Sequence, residues 1–365
     1  MNKRLPMPFS TQLPEIIRNN YGKWVDRRFH GNGIIEHISE TGDRIFTIKV
    51  GLPPNSRVSV DTLEKFIEIA DKYGLGVVRA TRGGMNLEFI TDSLDKALKI
   101  KEEVEKLGFP VGGWGASLWH ITSCTAYLTC TTAVVDAPSI TQVLYNHLKP
   151  FFTGEEKLPA KLMIFVAGCP NICGGTLAGD IVIVGHYGQA PRPDPERIKF
   201  CLPASAEALK KAVPDVAAVC PPVGAIKVFG KPDGSVGIEV DERKCIACSR
   251  CKNVCDYFDW DPAKIGVAVF VGGKTSNTGT GPRLPYKVIP WLPVNPPEYR
   301  EIVAAVRKII DVWRQNAKPG ERLGDFIDRI GIDEFMNMLG VPRTRHNRCE
   351  EISWNFGVRQ FITYM

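Results

Sequence analysis

Four cysteines stand in two short pairs, Cys124-x5-Cys130 and Cys169-x3-Cys173. Four more crowd the run KCIACSRCKNVCD, where Cys245, Cys248 and Cys251 repeat at C-x2-C-x2-C and Cys255 follows. Thiolates at such intervals can each take one iron of an iron-sulfur cluster, a one-electron centre. A C-x5-C pair alone has an ordinary alternative, because free cysteine is among the most buried residue types and packs as a small hydrophobe. The second pair shifts the balance. It sits in Gly168-Cys-Pro-Asn-Ile-Cys-Gly174, a turn whose glycines and proline leave backbone room for an inorganic cluster. Two cluster sites on one chain imply that it moves electrons.

The downstream run resembles that of bacterial ferredoxins, in which the C-x2-C-x2-C triplet holds one cluster and the fourth cysteine serves another. The remaining ligand is then sought upstream. Cys220, in AAVCPPVGAI, resembles the C-P-x-x-A stretch that supplies the remote ligand in ferredoxins, with one extra proline. Cys220, Cys245, Cys248 and Cys251 are therefore assigned to a ferredoxin-type 4Fe-4S cluster through which electrons enter. Cys255 is read as an alternate ligand or the relic of a missing second site. Structural zinc usually takes separated C-x2-C pairs, without a third cysteine at the same short interval. Cys201 and Cys349 receive no role.

The elements that must position these cysteines read as α+β. Residues Arg44 to Leu52 alternate as a strand. Asp61-Thr62 caps a helix, TLEKFIEIADKY, that turns Leu63, Phe66, Ile67 and Ala70 toward a sheet and stops at Gly74. Strands at Gly76 to Ala80 and Met85 to Ile90 flank a Gly83-Gly84 turn, and a second amphipathic helix covers Leu94 to Leu107. Val111-Gly-Gly-Trp-Gly115 leads toward Cys124. A helix is expected over Ala137 to Phe152, and a strand from Lys161 to Val166 runs into the Gly168 turn, with another at Ile181 to Gly185. Composition shifts from Pro191, and Ile265 to Val271 resumes the larger fold. The proline-rich Val288 to Pro297 cannot be helical and is expected to cross a surface in extended form. Ile302, Val303, Val306, Ile309, Ile310 and Trp313 then recur at helical spacing. Trp354, Phe356, Phe361 and Tyr364 make the last residues a docking tail. The expected domains are 1-112, an N-terminal α+β half-domain; 113-200 with 263-300, which binds the upstream cluster; 201-262, an inserted ferredoxin domain; and 301-365, C-terminal helices and tail.

Composition excludes several classes. At 365 residues the chain is long enough for two or three domains, and 44% hydrophobic with 24% charged residues is ordinary for a folded protein. No run approaches the roughly 18 apolar residues of a membrane span, and the N-terminus lacks an apolar signal region. Eleven cysteines, odd in number and tightly clustered, favour metal ligation in a reducing, cytoplasmic compartment over disulfides. The net charge of +6 is scattered, so nucleic acid is not an expected partner, and Arg343 to Arg348 reads as a solvated face or subunit contact. A mild positive field would still draw in a small anion.

The upstream cysteines together spell C-x5-C-xn-C-x3-C. This resembles the sirohaem-dependent sulfite and nitrite reductases, where the pattern holds a 4Fe-4S cluster and its last cysteine bridges to the sirohaem iron. Arg79-Ala-Thr-Arg82-Gly-Gly-Met-Asn-Leu-Glu88 resembles that family's arginine-bearing turn, and Leu158-Pro-Ala-Lys161 its approach to the cluster loop. Tyr21-Gly-Lys-Trp24, Val271-Gly-Gly-Lys-Thr-Ser276, the P-W-x-P-x-x-P-P stretch from Pro290 and the aromatic tail extend the likeness, to beta-type subunits of the dissimilatory enzymes, over nearly the whole chain.

The resemblance implies a sirohaem-reductase core with an inserted ferredoxin domain, reducing sulfite to sulfide in six electrons or running in reverse. It implies sirohaem and two 4Fe-4S clusters, an alpha subunit in an alpha2-beta2 assembly, and a small sulfur-carrier protein and an electron-donor protein as further partners. Cys124, Cys130, Cys169 and Cys173 would hold the sirohaem-coupled cluster, with Cys173 shared. Sirohaem is rich in carboxylates and sulfite is an anion, so a buried site needs cations, for which Arg79, Arg82, Lys161 and Lys274 are candidates. Trp114, in the Gly-Gly-Trp-Gly run, is placed where it could block a second sirohaem pocket, with an ordinary core tryptophan as the competing reading.

Two departures stand out. Beta subunits of the better-known type carry one upstream cysteine and an adjacent Cys-Cys pair, whereas here Gly168 takes the first place of that pair and Cys124 completes a C-x5-C as in alpha subunits. Met163 stands where catalytic half-sites carry a second lysine. Two other readings stay open: a sirohaem nitrite or assimilatory-type sulfite reductase, and a non-catalytic iron-sulfur electron-transfer subunit.

Overall fold

The computed structural model describes residues 12–81, 86–173, 178–220, 224–245, 250–277 and 279–344. The Gly83-Gly84 turn, Arg82, Cys248, Cys349 and the aromatic tail lie outside the described residues. Two compact units divide the chain. The first takes residues up to 122 together with 141–164 and 313–322; the second takes 123–140, 165–312 and those from 323 on.

The first unit opens with α1 (Glu15–Asn19) and the strands β1 (Trp24–Phe29), β2 (Ile34–Ser39) and β3 (Arg44–Gly51). Then come α2 (Val60–Tyr73), β4 (Val78–Ala80), β5 (Asn86–Thr91) and α3 (Leu94–Lys106). The strands form one antiparallel sheet in the order β1-β2-β3-β5-β4. Its core joins Ile34, Phe46, Ile48, Val50 and Phe89 to Phe66, Ile69 and Ala70 of α2 and Ala97, Ile100 and Val104 of α3. The expected face of α2 needs correction. Leu63 and Ile67 are 42% and 53% exposed, while Ile69 is buried. Apolar residues run more than half-way round this helix, and the sheet takes the Phe66–Ile69–Ala70 stripe. Ser59, not Asp61, is the cap, accepting from the Thr62 amide.

A second sheet runs in the order β14-β13-β8-β7-β6. Its first contributors are β6 (Leu118–Ser123), which leads into the first cysteine pair and then α4 (Ala137–Thr153), followed by β7 (Leu162–Ala167) and β8 (Ile181–Tyr187). The small insert then adds β9 (Arg192–Pro193), α5 (Ala206–Leu209), α6 (Asp215–Ala218), the hairpin β10 (Ile226–Gly230) and β11 (Val236–Val240), and β12 (Phe258–Asp259). It has its own core of Ile198, Val216, Ile226, Cys251, Cys255 and Phe258, and a short β9–β12 ladder at its base. The chain returns through β13 (Ile265–Val271) and β14 (Tyr286–Pro293), and α7 (Arg300–Asn316), α8 (Leu323–Ile330) and α9 (Ile332–Leu339) complete the described elements.

Val267 to Val271 in β13 are buried throughout, as suits an interior strand covered on both faces. The proline-rich stretch is extended, as expected, but as the edge strand β14 and not as a surface crossing. Proline lacks an N–H, and an edge strand leaves one side of its backbone unpaired. No helix among the described residues is long and apolar enough to cross a membrane.

Candidate functional site

The upstream cysteines lie where two strands end. Cys124 follows β6, and its amide donates to the Val166 carbonyl of β7 at 3.2 Å, which sets the start of the first pair beside the start of the second. At the end of β7, Gly168 ties the two loops together. Its N–H donates to Cys124 Sγ at 3.1 Å, and its carbonyl accepts from the Val134 and Val135 amides at 2.7 and 3.1 Å. Cys130 Sγ lies 3.3 Å from Thr132 Oγ1, which is 3.8 Å from Cys169 Sγ. Ile172 takes a left-handed φ of 53° before Cys173.

All four thiols thus form one group. Cys169 is buried, Cys124 half-buried, and Cys130 and Cys173 exposed. Burial pushes the Cys169 thiol up, with Cys130 and Cys124 adding to the rise; burial raises Cys173 as well, with Cys169 and Cys130 adding. Hydrogen bonding from Thr132 lowers Cys130. Among the described residues no three side chains converge as tightly as a single metal ion demands. A cubane makes no such demand, because each sulfur meets its own iron. The donor set, all sulfur and unpaired with one another, suits a cluster.

In the insert, Cys220 ends the turn after α6, Cys245 donates its amide to Asp241 O at 2.9 Å, and Cys251 is buried. The reading of Cys255 as an alternate ligand is corrected. Cys255 is disulfide-bonded to Cys201, which removes its sulfur from the ligand set and gives Cys201 a role. The Cys255 amide donates to Cys251 O at 3.0 Å, and this turn carries the Cys255 side chain into the insert core. The expectation of ligation in place of disulfides is corrected at this pair alone, since the seven other described cysteines form no disulfide.

Cationic candidates fall in both units. In the first, β3, β5 and β4 set Lys49, Glu88 and Arg79 side by side in register. Arg79 is largely exposed and lies 3.6 Å from Glu88. Lys49 is buried, donates to Gly113 O at 2.8 Å, and stands 4.5 and 4.8 Å from the ring centres of Trp114 and Trp119. Lys161 stands 3.7 Å over the Trp119 ring. The two indoles meet edge to face at 5.1 Å, and the buried Trp114 Nε1 has no hydrogen-bond partner among the described residues. In the second unit Lys274 is buried and its ammonium lies 2.5 Å from Asp325, which also accepts from the amide and hydroxyl of Thr280. Burial would raise the Asp325 carboxyl, but Lys274 and Thr280 together bring it below its ordinary value. The reading of Lys274 as an anion ligand is therefore corrected: its charge is committed to an internal carboxylate that pins the loop after β13.

The family model for the nitrite/sulfite reductase ferredoxin-like half domain matches residues 37–107, and that for the nitrite and sulphite reductase 4Fe-4S domain matches residues 114–347. The chain belongs to the nitrite and sulphite reductase family. It is similar to the dissimilatory-type sulfite reductase subunit beta of Archaeoglobus fulgidus, with 35% identity over 93% of this chain and 91% of the relative. The corresponding subunit of Nitratidesulfovibrio vulgaris is 28% identical over 93% of this chain and 89% of its own. The crystal structure of dissimilatory sulfite reductase I matches the fold with a TM-score of 0.76 at 19% identity, covering 92% of this chain and 81% of that one. The reductase fold is the α+β architecture expected from the sequence, and the chain is an oxidoreductase subunit that carries an iron-sulfur domain.

Sequence reasoning passed over Lys49. The signal was a single lysine in RIFTIKVGL, a strand otherwise buried along nearly its whole length. Burial pushes the Lys49 ammonium down to about 7, with Lys161 adding to the fall and Glu88 opposing it. Burial likewise raises the Glu88 carboxyl.

Two predictions follow from this geometry. The disulfide spans 54 residues and encloses Cys220, Cys245 and Cys251, so Cys255→Ser should loosen the insert by about 4 kcal/mol in the chain-entropy account. Hydrogen exchange across residues 202–254 would rise; unchanged exchange would show that the bridge does not hold the insert. For Lys49, the unfolded chain keeps a proton between about pH 7 and the ordinary lysine value that the folded chain has lost. Folding stability from this group therefore rises with pH across that window and is flat below it. Denaturation of wild type and Lys49→Met in anion-poor buffer should show the wild type gaining on the variant between about pH 7 and pH 9, by up to about 1.4 kcal/mol per unit. Parallel curves would mean an ordinary, solvated lysine.

Proposed function

We propose that the chain is the beta-type subunit of a dissimilatory sulfite reductase, acting with an alpha subunit to reduce sulfite to sulfide in six electrons or to run the reverse. The observation that carries this reading is the gathering of Cys124, Cys130, Cys169 and Cys173 on two loops tied together by the backbone of Gly168, in a chain similar to such beta subunits over nearly its whole length. These four would hold the first 4Fe-4S cluster, with Cys173 shared with sirohaem. Cys220, Cys245, Cys248 and Cys251 would hold the second, which admits electrons. Bound sirohaem would supply the iron centre at which the sulfur-oxygen bonds of sulfite are reduced.

The chain's own groups fit supporting roles. Cys173 is exposed and free to face a second group, whereas Cys169 is buried against the loop that anchors it. Lys161 offers an ammonium beside an indole, while the Met163 thioether two residues on can neither hold an anion nor give a proton. That lack is why an alpha subunit is proposed to supply most of the catalytic cations.

The changed ligand pattern has a spatial rationale. A Cβ built at Gly168 would lie 3.4 Å from Cys124 Sγ and 2.8 Å from the Ala126 methyl. A cysteine at 168 and one at 124 therefore compete for nearly the same place, and the chain carries one of them. Cys124→Ala in the purified alpha-beta complex should lose most of the upstream cluster's iron. Adding Gly168→Cys with Ala126→Gly, which removes the clashing methyl at a residue with φ of 39°, should restore it. Failure to restore iron would argue against exchangeable positions.

Optical spectra test the function itself. The wild-type complex should show tetrapyrrole absorption and sulfite-dependent turnover, and Cys173→Ser should lose that absorption while keeping the insert's iron. Iron-sulfur spectra with no tetrapyrrole in the wild type would sink the reading in favour of an electron-transfer subunit.

A further inference from the structure

We propose that the stacked rings of Tyr187 and Trp260 form the electronic contact between the two cysteine groups, carrying single electrons from the insert to the loops that hold Cys169. The proposal rests on the sulfite reductase reading and deepens it by naming the residues that join its two cluster sites.

The first ground is the neck of the insert. β8 ends at Tyr187, and the chain leaves for the insert through β9; it returns through β12, and Trp260 follows the last residue of that strand. Asp261 then caps the turn Pro262–Lys264, its side chain accepting from the Ala263 amide at 2.9 Å. The chain re-enters the sheet at Ile265, directly opposite Tyr187. This short return lays Trp260 on Tyr187, and the two rings stack with centroids 4.3 Å apart and planes inclined by 19°.

The second ground is what each ring adjoins. A Cβ built at Gly185 would meet the Gly168 carbonyl and the Val135 side chain, so the cysteine loops cover that face of β8. Tyr187, two residues on, turns its side chain to the same face, where it is 5% exposed. Its partner Trp260 packs on the insert core, which holds Cys251 and, at its edge, Cys220. The phenol registers both neighbourhoods: burial pushes it up, and Tyr127, Cys169 and Cys251 add to the rise. Tyr127 lies in the loop between Cys124 and Cys130 and donates to Val134 O at 3.1 Å. One buried residue is thus within electrostatic reach of a ligand candidate from each group.

Stacked rings overlap through their π-electrons, and tunnelling falls steeply with every gap between orbitals, so the pair is a better path than aliphatic packing. One electron leaves the reduced insert site and one arrives at the upstream site. The rings are neither oxidised nor reduced in the passage and exchange no proton.

The test uses the full chain in its native complex, without sulfite, so that no turnover enters the reading. Reduced methyl viologen, a one-electron donor, is mixed rapidly with the oxidised protein, and samples frozen at successive times are read by electron paramagnetic resonance. Tyr187→Met and Trp260→Met replace each ring by an unbranched chain that fills space without a π-system, and Tyr187→Phe keeps the ring. Cys251→Ser, expected to lose the insert's iron, measures how fast viologen reaches the upstream site directly. In wild type the insert's signal should rise first and decay as the upstream signal grows. Both methionine variants should lose that rapid decay, leaving upstream reduction no faster than in Cys251→Ser, whereas Tyr187→Phe should keep it. Their iron content and their hydrogen exchange across residues 202–254 should match wild type. Rapid decay in either methionine variant would overturn the contact, as would its loss in Tyr187→Phe. Slow decay accompanied by lost iron or faster exchange would assign the rings to packing and overturn the contact as well. A wild type with a single cluster signal would overturn both the contact and the reductase reading. Absence of tetrapyrrole alone would overturn the reading, while the decay would still judge the contact.

Discussion

At position 185 a side chain is impossible without moving the cysteine turn: a Cβ there would come within 2.3 Å of the Gly168 carbonyl oxygen. That close approach of β8 to the end of β7 leaves the backbone of Gly168 in place to act in two directions at once. Its carbonyl gathers the Val134 and Val135 amides, and its N–H meets the Cys124 sulfur. One residue therefore fixes the loop that carries Cys124 and Cys130 relative to the turn that carries Cys169 and Cys173. The tie between the loops is made by backbone groups of Gly168, Val134 and Val135, which cost no rotamer freedom, and only the Cys124 bond fixes a side chain. Thiols that are to share a cluster would need such prepositioning, because their sulfurs must stay apart from one another until iron joins them.

Much of this was legible in the sequence because it depends on local chemistry. The alternating RIFTIKVGL, the apolar spacing of Ile302 to Trp313 and the glycines of the cysteine turn each act through their own backbone. The face of α2 was not legible, since Leu63, Phe66, Ile67, Ile69 and Ala70 offer two overlapping stripes and only the sheet decides between them. Nor were β1 and β2 picked out, where β1 is exposed at nearly every position and alternation is weak. The proline-rich stretch misled for a related reason. Its prolines forbid helix and interior strand alike, but an edge strand satisfies both prohibitions.

Lysine was the residue type that sequence could least assign. Lys274 follows two glycines and resembles a cofactor-facing position, yet Asp325, fifty-one residues on, takes its charge. Lys49 sits in an unremarked strand, and its setting comes from Trp114, Trp119 and Lys161, all distant along the chain. Burial and partner determine what an ammonium does, and both are set by tertiary contacts. Cysteines differ because close spacing in sequence already keeps their side chains near one another in the fold.

The insert shows where that encoding stops. Cys251 and Cys255 sit four residues apart, are both buried, and belong to one small core. By spacing alone either could be a ligand. What separates them is Cys201, brought to the base of the insert where β9 and β12 also pair, so that the bridge and the ladder close the same loop. A segment with so small a core gains from cross-linking more than a large one does, because little apolar burial is available to offset its chain entropy. Among the described residues, Cys220, Cys245 and Cys251 inside that loop take part in no disulfide, and the bond that closes it leaves fewer ways for the loop to move them apart.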